Sequence, residues 1–135
     1  MRLVLDSNII VAAFSGRGLC NSLFELCQDR FHVVISEFIV GEVQRVLMTK
    51  IKMPEKNVNL IIDYLKEFCI VENCKNLVEQ VCRDRDDDNI IALAKQSNSK
   101  YIITGNKDLL VLKKYGNIKI YTARDFWEEV KQSDN

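Results

Sequence analysis

Short apolar runs alternate with segments of helical periodicity along almost the whole chain, and this alternation limits the folds available to it. The first run, RLVL, is apolar at three successive positions, which predicts a strand buried on both faces. Predicted strands lie at 2–5, 31–35, 69–72, 101–104 and 118–122. Strands that alternate with helices favour a three-layer α/β/α sandwich around a mostly parallel, about five-stranded sheet.

Helices are predicted between these strands. They fall directly after Asp6, over 19–30, from Ser36 to about Lys50, from Pro54 to Phe68, from Asp87 to about Ser97, over 107–114 and over 123–131. Ser36 and Thr122 are predicted N-caps, because a hydroxyl there can accept from backbone N–H groups of the first turn. The segment 76–82 fits more than one kind of element. We find no linker, repeat or low-complexity tract, so a single domain over 1–135 is expected.

Composition excludes some classes of partner. The chain has 135 residues, of which 47% are hydrophobic and 28% charged, which is ordinary for a globular protein with a core. Nineteen basic residues balance nineteen acidic ones, so no overall positive field attracts nucleic acid or anionic lipid. A role on nucleic acid therefore requires a local basic patch or a metal ion to handle the phosphates.

The cysteines and the N-terminus indicate the compartment. Five cysteines without CxxC spacing and a single histidine, His32, argue against a zinc site and a disulfide framework. They are expected to be small buried residues in a reducing compartment. Asp6 and Asn8 interrupt the apolar N-terminus, which lacks the pattern of a signal peptide, and no segment reaches the length of a membrane span. We expect a cytoplasmic protein without a membrane partner.

Two acidic residues occupy positions that helical periodicity reserves for apolar side chains. Glu42 lies on the stripe formed by Ile39 and Val46, and Asp87 shares the face of Ile90. A carboxylate directed toward a core costs several kcal/mol unless a cation or hydrogen-bond donors meet it. Both acids are therefore candidates for a functional site.

Asp87 belongs to an acidic run, RDRDDD, whose other members are expected to differ in role. Asp84 and Asp86 precede the predicted helix and fit cap or loop positions. Asp88 is rotated toward solvent on the helical pattern. Because helix boundaries shift by a residue or two, Asp88 is the second candidate after Asp87.

The acids are expected to meet at one edge of the sheet. Asp6 and Asp108 both follow strands, and the carboxyl ends of parallel strands lie along the edge where open sheets bind ligands. Mg²⁺ and Mn²⁺ prefer oxygen ligands and retain several waters, so a ring of Asp6, Glu42, Asp87 and Asp108 suits them.

Each acid alone also has a purely structural explanation. Asp6 could cap the helix that follows it, and Glu42 could pair with Arg45 or Lys50. The acidic run could be a solvated helix N-terminus. Only the conjunction of these residues at one edge favours a metal site.

The chain resembles the PIN-domain family, metal-dependent ribonucleases that include many bacterial toxins of toxin–antitoxin systems. The resemblance is carried by LVLDSNIIVAAF (3–14), ISEFIVGEVQRVL (35–47), DRDDDNIIALA (84–94) and YIITGNKDLL (101–110). It implies an α/β/α fold, a Mg²⁺ or Mn²⁺ cofactor and hydrolysis of RNA phosphodiester bonds. It also implies a protein antitoxin and a homodimer as partners.

The resemblance assigns roles to individual residues. The family's first acid falls on Asp6, its helix-borne glutamate on Glu42 and its third acid on Asp87. Asp6 and Asp87 would anchor the metal, and Glu42 would orient or deprotonate the attacking water. Asp108 would be a secondary ligand or would hold a second metal.

The fourth acidic position departs from the family. Many relatives carry an aspartate directly after the Thr-Gly pair, where this chain has Asn106. Either Asn106 or Asp108 could complete the site. The sequence therefore does not decide whether the site holds one metal ion or two. Ser7 and Thr104 match polar positions that support the site in relatives.

Three other classes of protein share part of this pattern. A haloacid-dehalogenase-like phosphatase needs a second aspartate where Asn8 stands, and a receiver domain needs an aspartate after its third strand, which CIVEN (69–73) lacks. A catalytically inactive PIN-like module that binds RNA or protein stays open, because Asn106 replaces an acid. RNA backbone contacts would come from basic residues, with Arg17, Lys50, Lys52, Lys107, Lys113 and Lys114 as candidates.

Overall fold

The computed structural model describes residues 1–16, 18–73 and 81–133, and within them it shows the predicted α/β architecture. The strands are β1 (Arg2–Leu5), β2 (His32–Ile35), β3 (Ile70–Val71), β4 (Tyr101–Ile103), β5 (Lys114–Tyr115) and β6 (Ile118–Tyr121). In the described residues they form one six-stranded sheet with the order β3-β2-β1-β4-β6-β5. All pairings are parallel except that of β5 with β6.

Seven helices connect or flank these strands in the same residues. They are α1 (Ser7–Ser15), α2 (Leu19–Arg30), α3 (Glu37–Thr49), α4 (Glu55–Phe68), α5 (Arg85–Gln96), α6 (Lys107–Leu110) and α7 (Ala123–Ser133). No single one of them is long and apolar enough to cross a membrane, and α1 with α2 reaches that length and composition only as a bent pair.

The central strands explain why helices lie on both sides of the sheet. Leu3, Val4 and Leu5 of β1 are all fully buried. Successive side chains of a strand point to opposite faces, so both faces of β1 must be covered. The continuous apolar pattern that predicted a doubly covered parallel sheet is therefore confirmed.

The predicted N-caps of two helices are confirmed. The Ser36 hydroxyl accepts from the backbone N–H of Ile39 at 3.2 Å at the start of α3. The Thr122 hydroxyl accepts from the backbone N–H of Asp125 at 3.1 Å at the start of α7. Each hydroxyl satisfies one of the N–H groups that a first helical turn leaves without an intrahelical partner.

The predicted helix over 107–114 is wrong beyond its first turn. Helix α6 ends at Leu110. Lys114–Tyr115 instead form an additional strand, β5, which pairs antiparallel with β6. Gly116, with a φ of 58°, provides the left-handed turn that reverses the chain between the two strands. Helical periodicity over so short a segment did not outweigh pairing with the sheet edge.

Helix α5 begins at Arg85, two residues before the predicted start, so Asp86 lies inside it. Most other boundaries agree with the predictions within two residues. Of the ambiguous segment 76–82, only Val81 and Cys82 lie within the described residues, and they precede α5.

Four cysteines can be placed, and all are free thiols, with Cys74 outside the described residues. Cys27, Cys69 and Cys82 are buried, and Cys20 is half-buried. Burial raises the pKa of Cys27 to about 12 and that of Cys69 to about 11, so neither is a thiolate near neutral pH. The three buried thiols are the small core residues that the sequence predicted.

The carboxyl ends of the central strands lie side by side. The Asp6 backbone N–H donates to the Ile103 carbonyl at 3.0 Å, and the Thr104 N–H donates to the Tyr121 carbonyl at 3.0 Å. The residues that follow β1, β4 and β6 are therefore neighbours along one edge of the sheet. Asp6 and Thr104, two of the predicted site residues, lie at this edge.

Candidate active site

Asp6 joins β1 to α1 and is held from two sides. It is 7% exposed and occupies the N-cap of α1, where its Oδ1 accepts from the Ser7 backbone N–H at 2.7 Å. Its Oδ2 accepts from the Thr104 hydroxyl at 2.8 Å, from a residue 98 positions away in sequence. The cap therefore engages only one carboxylate oxygen, and the other ties α1 to the end of β4.

Glu42 faces α1 from the middle of α3. Its Oε2 accepts from the Ser7 hydroxyl at 3.0 Å, while the same hydroxyl is 3.5 Å from Asp6 Oδ1. A hydroxyl donates one hydrogen, so the shorter contact to Glu42 is the stronger bond. Glu42 is half-buried and turned toward Asp6, in the direction its place on the apolar stripe predicted.

Asp87 lies in the first turn of α5 and is bound by Asn106. It is buried, and its Oδ1 accepts from Asn106 Nδ2 at 2.7 Å. Asn106 is fixed in turn, because its backbone N–H donates to the Thr104 hydroxyl at 3.0 Å and its Oδ1 accepts from the Asp108 N–H at 2.9 Å. Hydrogen bonds thus connect the three acids through Ser7, Thr104 and Asn106.

The Asp108 side chain lies apart from this network. Both of its oxygens accept from Arg83 Nη2, at 3.1 and 3.2 Å. Asp108 is half-buried at the start of α6, and its charge contributes to the raised pKa of Asp87. The sequence pattern did not single out Arg83, although it belongs to the same charged run.

The expectation that Asp88 points to solvent is wrong. Asp88 is 1% exposed, and its Oδ1 accepts from the backbone N–H groups of Cys82 at 2.7 Å and Val81 at 3.2 Å. Arg85 lies 4.0 Å from its other oxygen. The segment before α5 folds over the first turn and covers a side chain that helical periodicity alone leaves in solvent.

The predicted cap or loop position is confirmed for Asp84 and is wrong for Asp86, which lies in the first turn of α5 and is exposed. Asp84 is the N-cap of α5, and its Oδ1 accepts from the Asp86 backbone N–H at 2.9 Å. The acidic run is thus a helix cap in part, with Asp87 and Asp88 turned inward.

Asn8 has a supporting role that the sequence did not reveal. Its Oδ1 accepts from the Gly105 backbone N–H at 2.9 Å, and its Nδ2 lies 3.4 Å from Asp6 Oδ2. Asn8 therefore pins the loop after β4 beside Asp6. Its position two residues after a strand-end aspartate was the available signal.

The carboxylates are close enough to affect one another's ionisation. Burial raises the pKa of Asp6 and the charge of Glu42 adds to the effect, while hydrogen bonds from Thr104 and Ser7 oppose it. Burial, followed by the charges of nearby aspartates, raises the pKa of Asp87 to about 6. Both acids thus resist becoming charged together.

The donor chemistry of this site fits a hard divalent cation. As the side chains lie, no three His, Cys, Asp or Glu residues within 1–16, 18–73 and 81–133 form a group that could hold a metal ion. The oxygen donors and the raised pKa values nevertheless suit Mg²⁺ or Mn²⁺, which offset carboxylate repulsion and retain waters.

The basic residues proposed for RNA contact are exposed where they can be described. These are Lys50, Lys52, Lys107, Lys113 and Lys114, and Arg17 lies outside the described residues. Lys107 directly follows Asn106, the residue that binds Asp87. Exposure by itself does not distinguish the others from ordinary surface lysines.

Comparison with known proteins gives a family match and similar folds. The model of the PIN domain family matches residues 2–108. The uncharacterized protein MJ1680 of Methanocaldococcus jannaschii is 30% identical over 145 aligned positions, which cover 98% of this chain and 93% of that protein.

Two solved structures are similar in fold. VapBC2 from Rickettsia felis, solved with a DNA fragment from its promoter, aligns with a TM-score of 0.61 and 16% identity over 89% of this chain and 97% of that one. VapC20 of Mycobacterium tuberculosis, a sarcin–ricin loop cleaving toxin, aligns with a TM-score of 0.60 and 10% identity over 87% and 98%. At these identities the similarity concerns the fold.

Replacing Asp87 by Asn is expected to change how stability depends on pH. The pKa of Asp87 rises from 3.8 to about 6 on folding, so the folded chain binds this proton more tightly than the unfolded chain. This group therefore lowers the free energy of unfolding progressively as the pH rises through that window, by up to about 1.4 kcal/mol per pH unit. Asp87→Asn should lack this decline, as measured by urea unfolding in EDTA between about pH 4 and about pH 7.

Asp63→Asn is the matched control, because Asp63 is an exposed aspartate on α4. The free energy of unfolding of Asp63→Asn should depend on pH as that of the wild type does. If the free energies of unfolding of Asp87→Asn and wild type differ by the same amount at every pH, the pKa of Asp87 does not change on folding, which would contradict the prediction.

Proposed function

Because the chain belongs to the PIN-domain family, we propose that it is a Mg²⁺- or Mn²⁺-dependent endoribonuclease that hydrolyses RNA phosphodiester bonds. The observation that carries this proposal is the hydrogen-bond network that gathers Asp6, Glu42 and Asp87 at the carboxyl edge of the sheet. A cluster of mutually repelling carboxylates disfavours folding, and a divalent cation offsets that cost.

The proposed ligands are Asp6 and Asp87, with Asp108 as a secondary ligand. An ion held there would polarise the scissile phosphate and make an attacking water available near neutral pH. Glu42 is the proposed general base, since its Oε2 lies beside the site and its orientation is fixed by the Ser7 hydroxyl.

The supporting residues act by holding these acids in position. Thr104 directs Asp6, and Asn106 directs Asp87, so both carboxylates are restrained before any ligand arrives. Restraint of this kind reduces the reorganisation that the reaction requires.

The first test is cleavage of end-labelled single-stranded RNA in Mn²⁺, in Mg²⁺ and in EDTA. We expect cleavage with either metal and none in EDTA, and we expect Asp6→Asn to reduce the rate by about 100-fold or more. Either metal at millimolar concentration should also raise the melting temperature, because it relieves repulsion among the carboxylates.

Asp63→Asn, which changes an exposed aspartate of α4, should cleave and melt as the wild type does. Cleavage that persists in EDTA would contradict metal dependence. Absence of both cleavage and metal-induced stabilisation would favour the alternative function, a catalytically inactive PIN-like module that binds RNA or protein.

Asn106→Asp tests what the departure from the family pattern does. An aspartate at this position would replace the Nδ2 donor to Asp87 by a second negative charge. The variant should melt at a lower temperature than wild type in EDTA and should show a larger rise on addition of Mn²⁺, by thermal melting. A metal-induced rise equal to that of wild type would exclude position 106 from the metal site. Asn73→Asp, at an exposed residue after β3, is the control.

We further propose that the nuclease is the toxin of a toxin–antitoxin pair, with a protein antitoxin and a homodimeric assembly as partners. Support comes from the similar fold of VapC20, whose structure is described as that of a toxin that cleaves the sarcin–ricin loop, and of VapBC2. The proposal is that this chain shares the biological role as well as the fold.

A toxin role predicts that induced expression of the wild-type chain arrests the growth of a bacterial host. The Asp6→Asn chain, expressed to the same level, should not, because it lacks a proposed metal ligand. Equal arrest by both chains, or by neither, would contradict the toxin proposal, with colony counts after induction as the measurement.

A further inference from the structure

Arg83 contacts the candidate site from the segment before α5 and has no role in the proposal above. Its Nη2 donates to both oxygens of Asp108, at 3.1 and 3.2 Å. The Arg83 side chain is 85% exposed, whereas that of Asp108 is 36% exposed. An ion pair this accessible to water contributes little to stability, so its position beside the carboxylates needs another explanation.

The backbone on both sides of Arg83 is anchored. On one side, the Cys82 N–H donates to the buried Asp88 at 2.7 Å. On the other side, Asp84 caps α5 by accepting from the Asp86 N–H at 2.9 Å. The fold therefore fixes where the Arg83 side chain begins, while most of that side chain is accessible to solvent. A long side chain on a fixed base can turn from one anion to another without loss of the surrounding structure.

The acidic residues near Arg83 make the approach of an RNA phosphate unfavourable, and a guanidinium can offset this repulsion. The aspartates that raise the pKa of Asp87 include Asp84, Asp6 and Asp108, so the edge of the sheet repels an approaching RNA phosphate. A guanidinium binds phosphate oxygens with paired, charge-assisted hydrogen bonds, as it binds a carboxylate. The Asp108 carboxylate thus accepts from Arg83 with two oxygens, as a phosphate group would.

We infer that Arg83 is a substrate-binding residue that exchanges Asp108 for a backbone phosphate of single-stranded RNA. The inference rests on the proposed ribonuclease function. The exchange releases the Asp108 carboxylate toward the metal as the substrate arrives. One side chain thereby couples RNA binding to completion of the acidic site.

The first experiment measures RNA binding separately from cleavage. Fluorescence anisotropy with a short labelled single-stranded RNA is recorded in Ca²⁺, with the intact length of the RNA verified on a gel. Arg83→Gln is expected to weaken binding about tenfold and to reduce the slope of log Kd against log salt by about 0.7, the value for one lost phosphate contact with a single strand. Arg83→Lys, which keeps the positive charge but lacks the paired N–H donors of a guanidinium, should bind the RNA with intermediate affinity.

Arg85→Gln is the matched control. It removes the same charge two positions away, from a residue whose ion pair at 4.0 Å is with Asp88 rather than with Asp108. It should change RNA affinity by less than about twofold, because a rim charge without a phosphate contact acts only through the general field.

A second experiment measures metal binding without RNA. Removing Arg83 frees Asp108 from a competing cation, so the Mn²⁺ concentration that gives half of the rise in melting temperature should fall about two- to fivefold in Arg83→Gln. In steady-state cleavage the same variant should raise KM by more than it lowers kcat. A purely structural role would lower the melting temperature and leave the RNA affinity of the folded protein and its salt slope unchanged.

The outcomes separate this inference from the proposed function. RNA binding that depends on Arg83, in a chain that does not cleave, would support Arg83 as an RNA-binding residue and would contradict the nuclease. Metal-dependent cleavage with wild-type KM and salt slope in Arg83→Gln would overturn the inference and leave the nuclease standing. An RNA affinity of Arg83→Gln equal to that of wild type would also overturn the inference, and would leave an acidic protein as the other anion that Arg83 could bind.

Discussion

The hydroxyl of Thr104 is the contact on which the candidate site depends. It is fully buried, it donates to Asp6 at 2.8 Å and it accepts from the Asn106 N–H at 3.0 Å. These two bonds link an acid at the end of β1 to the residue that holds Asp87 on α5. They are possible only because β1 and β4 are parallel neighbours whose carboxyl ends coincide, with Leu5 opposite Ile103. The sheet order thus determines which acids can meet.

Repulsion among these acids is the cost that accompanies this arrangement. Hydrogen bonds from neutral groups stabilise the charged forms of Asp6 and Asp87 without cancelling their charges, and the pKa of each stays raised. Packing an arginine or lysine into the network would have cancelled the charge and occupied the space that a metal needs. Arg83 instead remains in water at the margin of the site, paired with Asp108. The site is therefore restrained but not neutralised, which suits a ligand that arrives with positive charge.

The sequence predicted the sheet, its carboxyl edge and the inward direction of Glu42 and Asp87, because these follow from periodicity and from parallel topology. It could not predict that Asp88 is buried, since the cover comes from a turn of backbone whose path has no periodic signal. The bond from Asn106 to Asp87 joins positions 19 residues apart and depends on loop geometry. Strand β5 was missed because pairing with a neighbouring strand overrode a weak local preference.

Asn106 shows how one substitution redistributes roles among the acids at this edge. A carboxylate there would be one more charge near Asp87, whereas the amide donates a hydrogen bond at 2.7 Å and lowers the repulsion. The same amide accepts from the Asp108 N–H, which orients the first turn of α6 and brings Asp108 toward Arg83. This chain thus has a neutral amide at position 106, bound to Asp87, and an acid at position 108 that is paired with Arg83. If Asp108 joins the site only when Arg83 leaves it, as we propose, the number of carboxylate ligands depends on whether RNA is bound.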